Sequence, residues 1–261
     1  MKLEGLRVIE LSLFLPGPWM TQMMADHGAD VVKVEPAGGE PAREIGSMRG
    51  DTSVWFSNTH RGKRSLKLNL KTDEGREVLM RLAAESDVLV EAFRPGVVDR
   101  LGVGYEAVRQ RAPQLVYASI SAFGQDGPYR TRPAHDLATE ALAGILSVNV
   151  GADGAPVMPA IANADMLASM TCLSGVLMAL VRRATSGEGD YVDIAMMDSL
   201  IAAMPNNLGP VFADGRAPVP SDERSWGGNA MYNIYRTKEG RHAVLGAAEL
   251  HFAKNVLDKM G

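Results

Sequence analysis

The chain has 261 residues, enough for one large domain or two modest ones. Hydrophobic residues make up 46% and charged residues 22%, an ordinary globular composition that excludes a disordered, collagen-like or coiled-coil architecture. With 27 Lys and Arg against 31 Asp and Glu the net charge is −4, so the basic footprint of a nucleic-acid binder is missing and no nucleic-acid partner is expected.

The first twenty residues carry Glu4 and Glu10 and lack a basic stretch followed by a long apolar core, so no signal peptide is expected. No run of about 18 apolar residues is seen, and no membrane partner is expected. Residues 6–12 (LRVIELS) read as a strand. Residues 16–28 read as a helix opened by Pro16 and closed by Gly28. Residues 30–36 form a second strand stopped by Pro36. Residues 71–87 have helical spacing, and residues 88–93 and 115–121 read as further buried strands. This alternation predicts an α/β fold with a parallel sheet covered by helices. Two apolar helices follow, over 136–148 and 165–187, then a short strand running into a helix over 191–204. Residues 205–225 are rich in Pro, Asn, Gly and charge and read as a linker. Residues 231–247 read as a hairpin with its turn near Lys238-Glu239-Gly240, and 252–260 as a helix. The division expected is a large domain over 1–204, a linker over 205–225 and the start of a small, unfinished domain over 226–261.

The first strand-to-helix turn holds only Gly17, between two prolines. A pyrophosphate needs G-x-G-x-x-G to approach the backbone there, so an NAD site is not expected. Glu35 ends the second strand, where a ribose-binding acid would sit; a solvated strand-end carboxylate is the simpler reading. Arg61, Lys63, Arg64, Lys67 and Lys71 crowd residues 60–71, and Arg94 follows a buried strand directly. Such donors suit phosphate, and ligands of open α/β sheets gather at the carboxyl ends of strands. A solvated charged face is the alternative, and the better one for Lys67. His135 and Asp136 stand at a loop-to-helix junction. His135 there can move a proton near neutrality, or lie idle at the surface; Asp136 reads first as an N-cap. Asp165 opens a long apolar helix, where it is either a cap or a carboxylate offered as base or nucleophile toward an activated acyl group. Gly227 and Gly228 permit close backbone approach to a ligand, or only a turn. Glu249 ends a strand and starts a helix. His27, His60, His242 and His251 show no metal-ligand spacing among themselves, and no metal is expected. Cys172, the one cysteine, cannot form an internal disulfide; it reads as core packing in a reduced, cytoplasmic setting.

Six ordered segments, LEGLRVIELS, PGPWMTQMMADHGADVVKVEPAGGEPAR, NTHRGKRSLKLNLKTDEGRE, EAFRPGVVDRLGVGYE, LVYASISAFGQDGPY and SGEGDYVDIAMMDS, resemble the family III CoA-transferase superfamily (CaiB/BaiF type) across essentially the whole chain. That superfamily also holds the α-methylacyl-CoA racemases. The resemblance implies a large Rossmann-like CoA-binding domain, a smaller α+β domain and an interlocked homodimer. Coenzyme A would be held, as acyl-CoA, by Leu68, Asn69, Leu70, Lys71, Phe93 and Arg94, with Ala134, Asp136 and Leu137 near its acyl end and Arg43 a candidate for the adenosine phosphate.

The same resemblance assigns Asp165 to the acid that attacks the thioester in transferases and serves as one of two bases in racemases. His135 matches the second racemase base, and Glu249 the place of its partner. Gly227 and Gly228 match the glycine loop that covers the transferase intermediate. The reaction implied is transfer of CoA from an acyl-CoA to a carboxylic acid. The alternatives are racemisation at the α-carbon by His135 and Asp165, or a CoA-binding protein without catalysis.

Overall fold

Strands β1 (Arg7–Glu10), β2 (Asp30–Glu35), β3 (Arg64–Lys67), β4 (Val88–Glu91), β5 (Val116–Ser121) and β6 (Asp190–Ala195) pair in parallel, in the spatial order 3-2-1-4-5-6. Ile9 of β1 stands beside Val32 of β2 on one side and Leu89 of β4 on the other. This is the doubly wound order, whose switch point lies between β1 and β4. The strands read as near-continuous apolar runs because helices cover both faces; every residue of β4 and β5 is buried. The computed structural model describes every residue except Ala152, Ser225 and Gly261. The last linker residue, Ser225, and the last residue of the expected small domain, Gly261, thus lie outside the described residues.

The helices follow their end signals. Helix α1 (Pro16–Asp26) takes Pro16 in its first turn, where a missing N–H costs nothing, and ends before Gly28 at φ 101°. Helix α2 (Val54–His60) is capped by Ser53, whose hydroxyl accepts the Phe56 N–H. Helix α3 (Asp73–Ala84) is capped by Thr72, whose hydroxyl accepts the Gly75 N–H at 3.1 Å, with Asp73 and Glu74 in the first turn. Helix α4 (Tyr105–Arg111) packs against α3, and Leu79, Val108 and Tyr117 join Ile9 and Leu89 in one core cluster. The expected helix over 136–148 is broken at Gly144, φ 91°, leaving α5 as Asp136–Ala143.

Helix α6 (Asn163–Ser186) closes on Gly187 in the left-handed conformation. It buries a face of small residues, Ala164, Ala168, Cys172, Val176 and Ala179, against α1 and the sheet. Cys172 is core packing, as expected. At 24 residues, with a mean hydropathy of 1.7 over its most apolar stretch, α6 is long and apolar enough to cross a membrane, by length and composition, contrary to the expectation that the chain holds no such stretch. Polar residues such as Ser169, Thr171 and Ser174 interrupt the apolar run without lowering its average below that of a span.

Two compact units result: residues 1–143 with 160–201, and residues 144–159 with 202–261. The expected boundary after residue 204 thus falls after Ile201, and 144–159 belongs with the second unit. Within the expected linker, Pro205–Asp214 is a helix, α8, following α7 (Met196–Ala202). Pro205 is again at a helix start, and Leu208, Val211 and Phe212 have helical spacing that the Pro and Gly content concealed. The second unit also holds the expected hairpin, β7 (Tyr232–Arg236) with β8 (His242–Gly246), and helix α9 (Leu250–Met260).

Candidate active site

Asp165 is the third residue of α6, and its carboxylate does not close its own helix. The cap position is Ala162, which makes no side-chain cap bond. The free N–H groups of the first turn are taken instead by α5. Asp136 Oδ1 accepts the N–H of Ala164 at 2.8 Å and of Asp165 at 3.2 Å, and Glu140 Oε1 accepts the N–H of Asn163 at 3.0 Å. Asp136 therefore caps a helix other than its own, 28 residues further along the chain. The carboxylate of Asp136, a residue expected near the acyl end of CoA, is turned to α6. Burial, with the nearby Asp136 and Glu140 carboxylates, pushes Asp165 up to about 7, and burial also raises Glu140.

A cavity of about 230 Å³ opens at the carboxyl ends of β1, β4 and β5. Its wall includes Leu13, Phe14 and Pro16 after β1, Phe93 and Arg94 after β4, Ala134 and His135 before α5, Asp165 of α6, and Met196. The cavity thus sits at the switch point, where open α/β sheets bind their ligands. Arg94 and His135 are exposed on it, and among the described residues neither makes a side-chain ion pair or hydrogen bond. Two charged cavity residues were missed in the sequence: Arg130 and Arg132, in the loop GQDGPYRTRPA. Their alternate spacing just before His135 was the available signal. The guanidinium of Arg132 lies over the Tyr129 ring, 4.0 Å from its centre.

A second, mostly apolar cavity of about 460 Å³ adjoins the first and shares Leu13 and Phe93 with it. Leu68, Asn69, Leu70 and Lys71 line it, facing Val34–Ala37 and Leu101. The structure thus brings Leu68–Lys71, Phe93, Arg94, Ala134, His135 and Asp165 onto two contiguous cavities. Leu137 is exposed on α5 and lines neither.

The turn between β1 and α1 is unusually well held. Phe14 has φ 61°, the one positive φ outside glycine among the described residues, a conformation that costs an L residue about 1–2 kcal/mol. Gly17 is obligatory, because a Cβ there would lie 2.0 Å from Ser12 Oγ. That close packing, rather than a pyrophosphate, explains the lone glycine. Beneath the turn lie Glu10, Lys33, Glu40, His60 and Lys63, all with side chains almost wholly buried. Lys33 binds Glu10 Oε1 at 2.8 Å and also Glu40; Lys63 binds Glu10 Oε2 at 2.8 Å. The two ammonium groups hold Glu10 down at about 2 against the opposing effect of burial. Glu10, Glu40 and His60 approach one another closely enough to hold a metal ion, a grouping their sequence spacing hid. Their oxygens are bound by lysines, which makes the cluster an ion-pair network.

Several expectations for single residues change. Glu35 is not a solvated strand end. It is 1% exposed and accepts bonds from Arg43, Ser65 and the Glu40 N–H. Arg43 grips Glu35 with both Nε and Nη2 and lies 4.0 Å over the Phe56 ring, so its fork is already occupied. In the basic segment Lys63 is spent on Glu10, Arg61 on Asp26 and Arg64 on Asp30. That leaves Lys67 and Lys71 exposed. In the second unit, Gly227 has φ 142°, and a Cβ at Gly228 would lie 2.8 Å from the Asp222 backbone. Both glycines are thus required by the chain's own close approach to Pro220 and Asp222. Glu249 is exposed, and its carbonyl accepts the Ala253 N–H at the start of α9.

The model of CoA-transferase family III matches residues 3–261, and the chain belongs to that family. It is 38% identical over 240 residues to the succinate–glutarate CoA-transferase of Agrobacterium fabrum, covering 89% of this chain and 58% of that protein. It is 35% identical over 260 residues to the acetyl-CoA:oxalate CoA-transferase of Acetobacter aceti, covering 99% of this chain and 66% of that protein. A crystal structure of a CaiB/BaiF family protein from Brucella suis superposes with a TM-score of 0.85 at 33% identity, over 93% of this chain and 65% of that one. The chain therefore spans less than two thirds of each of these three relatives.

Proposed function

We propose that this chain carries the thioester-binding and nucleophile-bearing part of an acyl-CoA:carboxylate CoA-transferase. One observation supports this reading above the others: Asp165 lines the switch-point cavity, relieved of any capping duty, in a wall that also holds Arg94 and His135. In this reading the pantetheine and nucleotide of coenzyme A lie along Leu68–Lys71 and Phe93, and the thioester reaches Asp165. Arg94 meets a phosphate or carboxylate of the substrates.

Ionised Asp165 attacks the acyl-CoA carbonyl; the C–S bond breaks, giving a mixed anhydride and CoA thiolate. The thiolate attacks the aspartyl carbonyl, forming an aspartyl-CoA thioester and releasing the donor acid. The acceptor carboxylate attacks that thioester and the thiolate departs again. Its attack on the acceptor's acyl carbon then gives the new acyl-CoA and restores Asp165. Gly227, Gly228 and Glu249 belong to this proposal as the water-excluding loop and an accessory acid, on the strength of the resemblance alone. A homodimer and a cytoplasmic setting are parts of the same proposal. The names of the relatives, which include succinate, glutarate and oxalate, favour a dicarboxylic acid as one partner.

His135 on the same cavity as Asp165 favours one second reading, proton exchange at the α-carbon. A panel of acyl-CoAs incubated in heavy water, with and without free dicarboxylic acids, separates the two by mass spectrometry. New thioesters that vanish in Asp165→Ala establish transfer. Deuterium at the α-carbon without an acceptor acid establishes epimerisation and overturns transfer. Neither product, with CoA still bound, leaves a binding protein.

A further inference from the structure

The turn that walls the Asp165 cavity is gripped at every second residue. Lys33 Nζ donates to the Ser12 carbonyl, and the Phe14 N–H donates to Glu40 Oε1 at 2.6 Å. Ser169 Oγ donates to the Pro16 carbonyl at 2.6 Å, and Lys63 Nζ to the Pro18 carbonyl at 2.7 Å. Three of these grips come from the buried ion-pair network, and the fourth from α6, one turn after Asp165. The intervening Leu13, together with Phe14 and Pro16, faces the cavity.

The grip on Phe14 is the informative one. A bulky residue with φ 61° persists only where its surroundings over-determine it, and such residues cluster at functional sites. Here the surroundings are a carboxylate with a wholly buried side chain. Lys33 fixes it, and His60 Nε2 lies 3.4 Å from its Oε2. The ring of Phe14 also lies 6.4 Å from the Trp55 ring, nearly parallel to it. The bond to Glu40 fixes the peptide plane that enters Phe14, from which its ring is set against Trp55.

We propose that Phe14 is a specificity-determining wall for the acyl end of the cavity, and that Glu40 is the positioning residue that holds it there. The wall excludes long acyl chains and admits short ones. This rests on reading the cavity as the thioester site.

The test measures binding of acetyl-, butyryl- and octanoyl-CoA to the intact chain by calorimetry, in an Asp165→Asn background so that no turnover intervenes. Phe14→Ala is expected to raise octanoyl affinity relative to acetyl by at least about tenfold, since a few added methylenes in an apolar pocket carry that much discrimination. Glu40→Ala is expected to move the ratio the same way, and Glu40→Gln, whose amide oxygen still accepts the Phe14 N–H, to return it toward the parent value. A role limited to stability would not produce that rescue. Should Glu40→Ala fail to fold, the Phe14 amide proton shift decides: it moves upfield in Glu40→Gln as a charged acceptor becomes neutral. A ratio unchanged within twofold in Phe14→Ala overturns the wall. An unmoved Phe14 amide, or equal ratios in both Glu40 variants and the parent, overturns the positioning. Binding of no acyl-CoA at all overturns this inference together with the proposed function, whereas binding with an invariant ratio overturns this inference alone.

Discussion

Asp136 Oδ1 accepts the main-chain N–H of Asp165 at 3.2 Å, so one acid seals the helix end from which the other is presented. The sealed end leaves the Asp165 carboxyl half-buried at the cavity with no hydrogen bond of its own among the described residues, and burial holds it up at about 7. A nucleophilic carboxylate must be ionised, so kcat/KM for CoA transfer should rise with pH through about 7 and then level. A flat profile between pH 5 and 9 would show that Asp165 does not titrate in the rate-determining species.

The same shift bears on stability. Asp165 is raised from an ordinary 3.8 to about 7, so the folded state binds the proton more tightly than the unfolded one. Its contribution to stability is whole below about pH 4 and is lost as pH rises through about 7. Asp165→Asn should therefore stabilise the chain at pH 8 by on the order of 1–3 kcal/mol, discounted for partial solvent access, with the gain vanishing near pH 4. Urea unfolding at the two pH values measures this.

Asp136→Asn retains an oxygen for the α6 N–H groups while removing the charge that helps hold Asp165 up. The acid limb of the pH profile should move to lower pH, with the fold retained. An unmoved limb would assign the shift to burial and Glu140 without a part for Asp136.

Breaking the buried network should be costly. Lys33→Met leaves Glu10 and Glu40 short of a cation, and removing one partner of a buried ion pair typically costs about 3–5 kcal/mol. Glu10, depressed to about 2 from 4.5, stabilises fully above about pH 4.5, and that contribution is lost as pH falls through about 2. Guanidinium midpoints should accordingly drop steeply in Lys33→Met, and between pH 4.5 and 2 in the parent.

Cys172 is fully buried and burial pushes its thiol up to about 12. It should resist iodoacetamide in the native chain and react once urea unfolds it. Native labelling would place the small-residue face of α6 in contact with solvent.

The sheet was legible because its strands are apolar runs separated by helix-period segments, and the order 3-2-1-4-5-6 follows the doubly wound pattern that such alternation implies. Strand β3 was not, because Arg64, Ser65 and Lys67 are exposed at the sheet edge and read as a basic loop. The position of Asp165 near a helix start was visible. That Asp136 would seal that helix was not, since the bond spans 28 residues of sequence. Glu35 misled for a related reason: its partners Arg43 and Ser65 lie in separate segments, so a buried, saturated carboxylate looked like a free one. Lys63 looked like a phosphate donor because nothing in the sequence links it to Glu10, 53 residues earlier. Phe14 carried no signal at all, because a positive φ on an aromatic residue is dictated by tertiary partners and not by its own type.

The chain departs from its first unit after Ala143 and rejoins it at Ala160, between the helix that bears Asp136 and Glu140 and the helix they seal. The three bonds across that gap are a staple at the neck of a sixteen-residue excursion, 144–159. Insertions or a proteolytic nick within the excursion would leave the neck joined without covalent help. Sequence drift there is thereby uncoupled from the placement of the reactive acid.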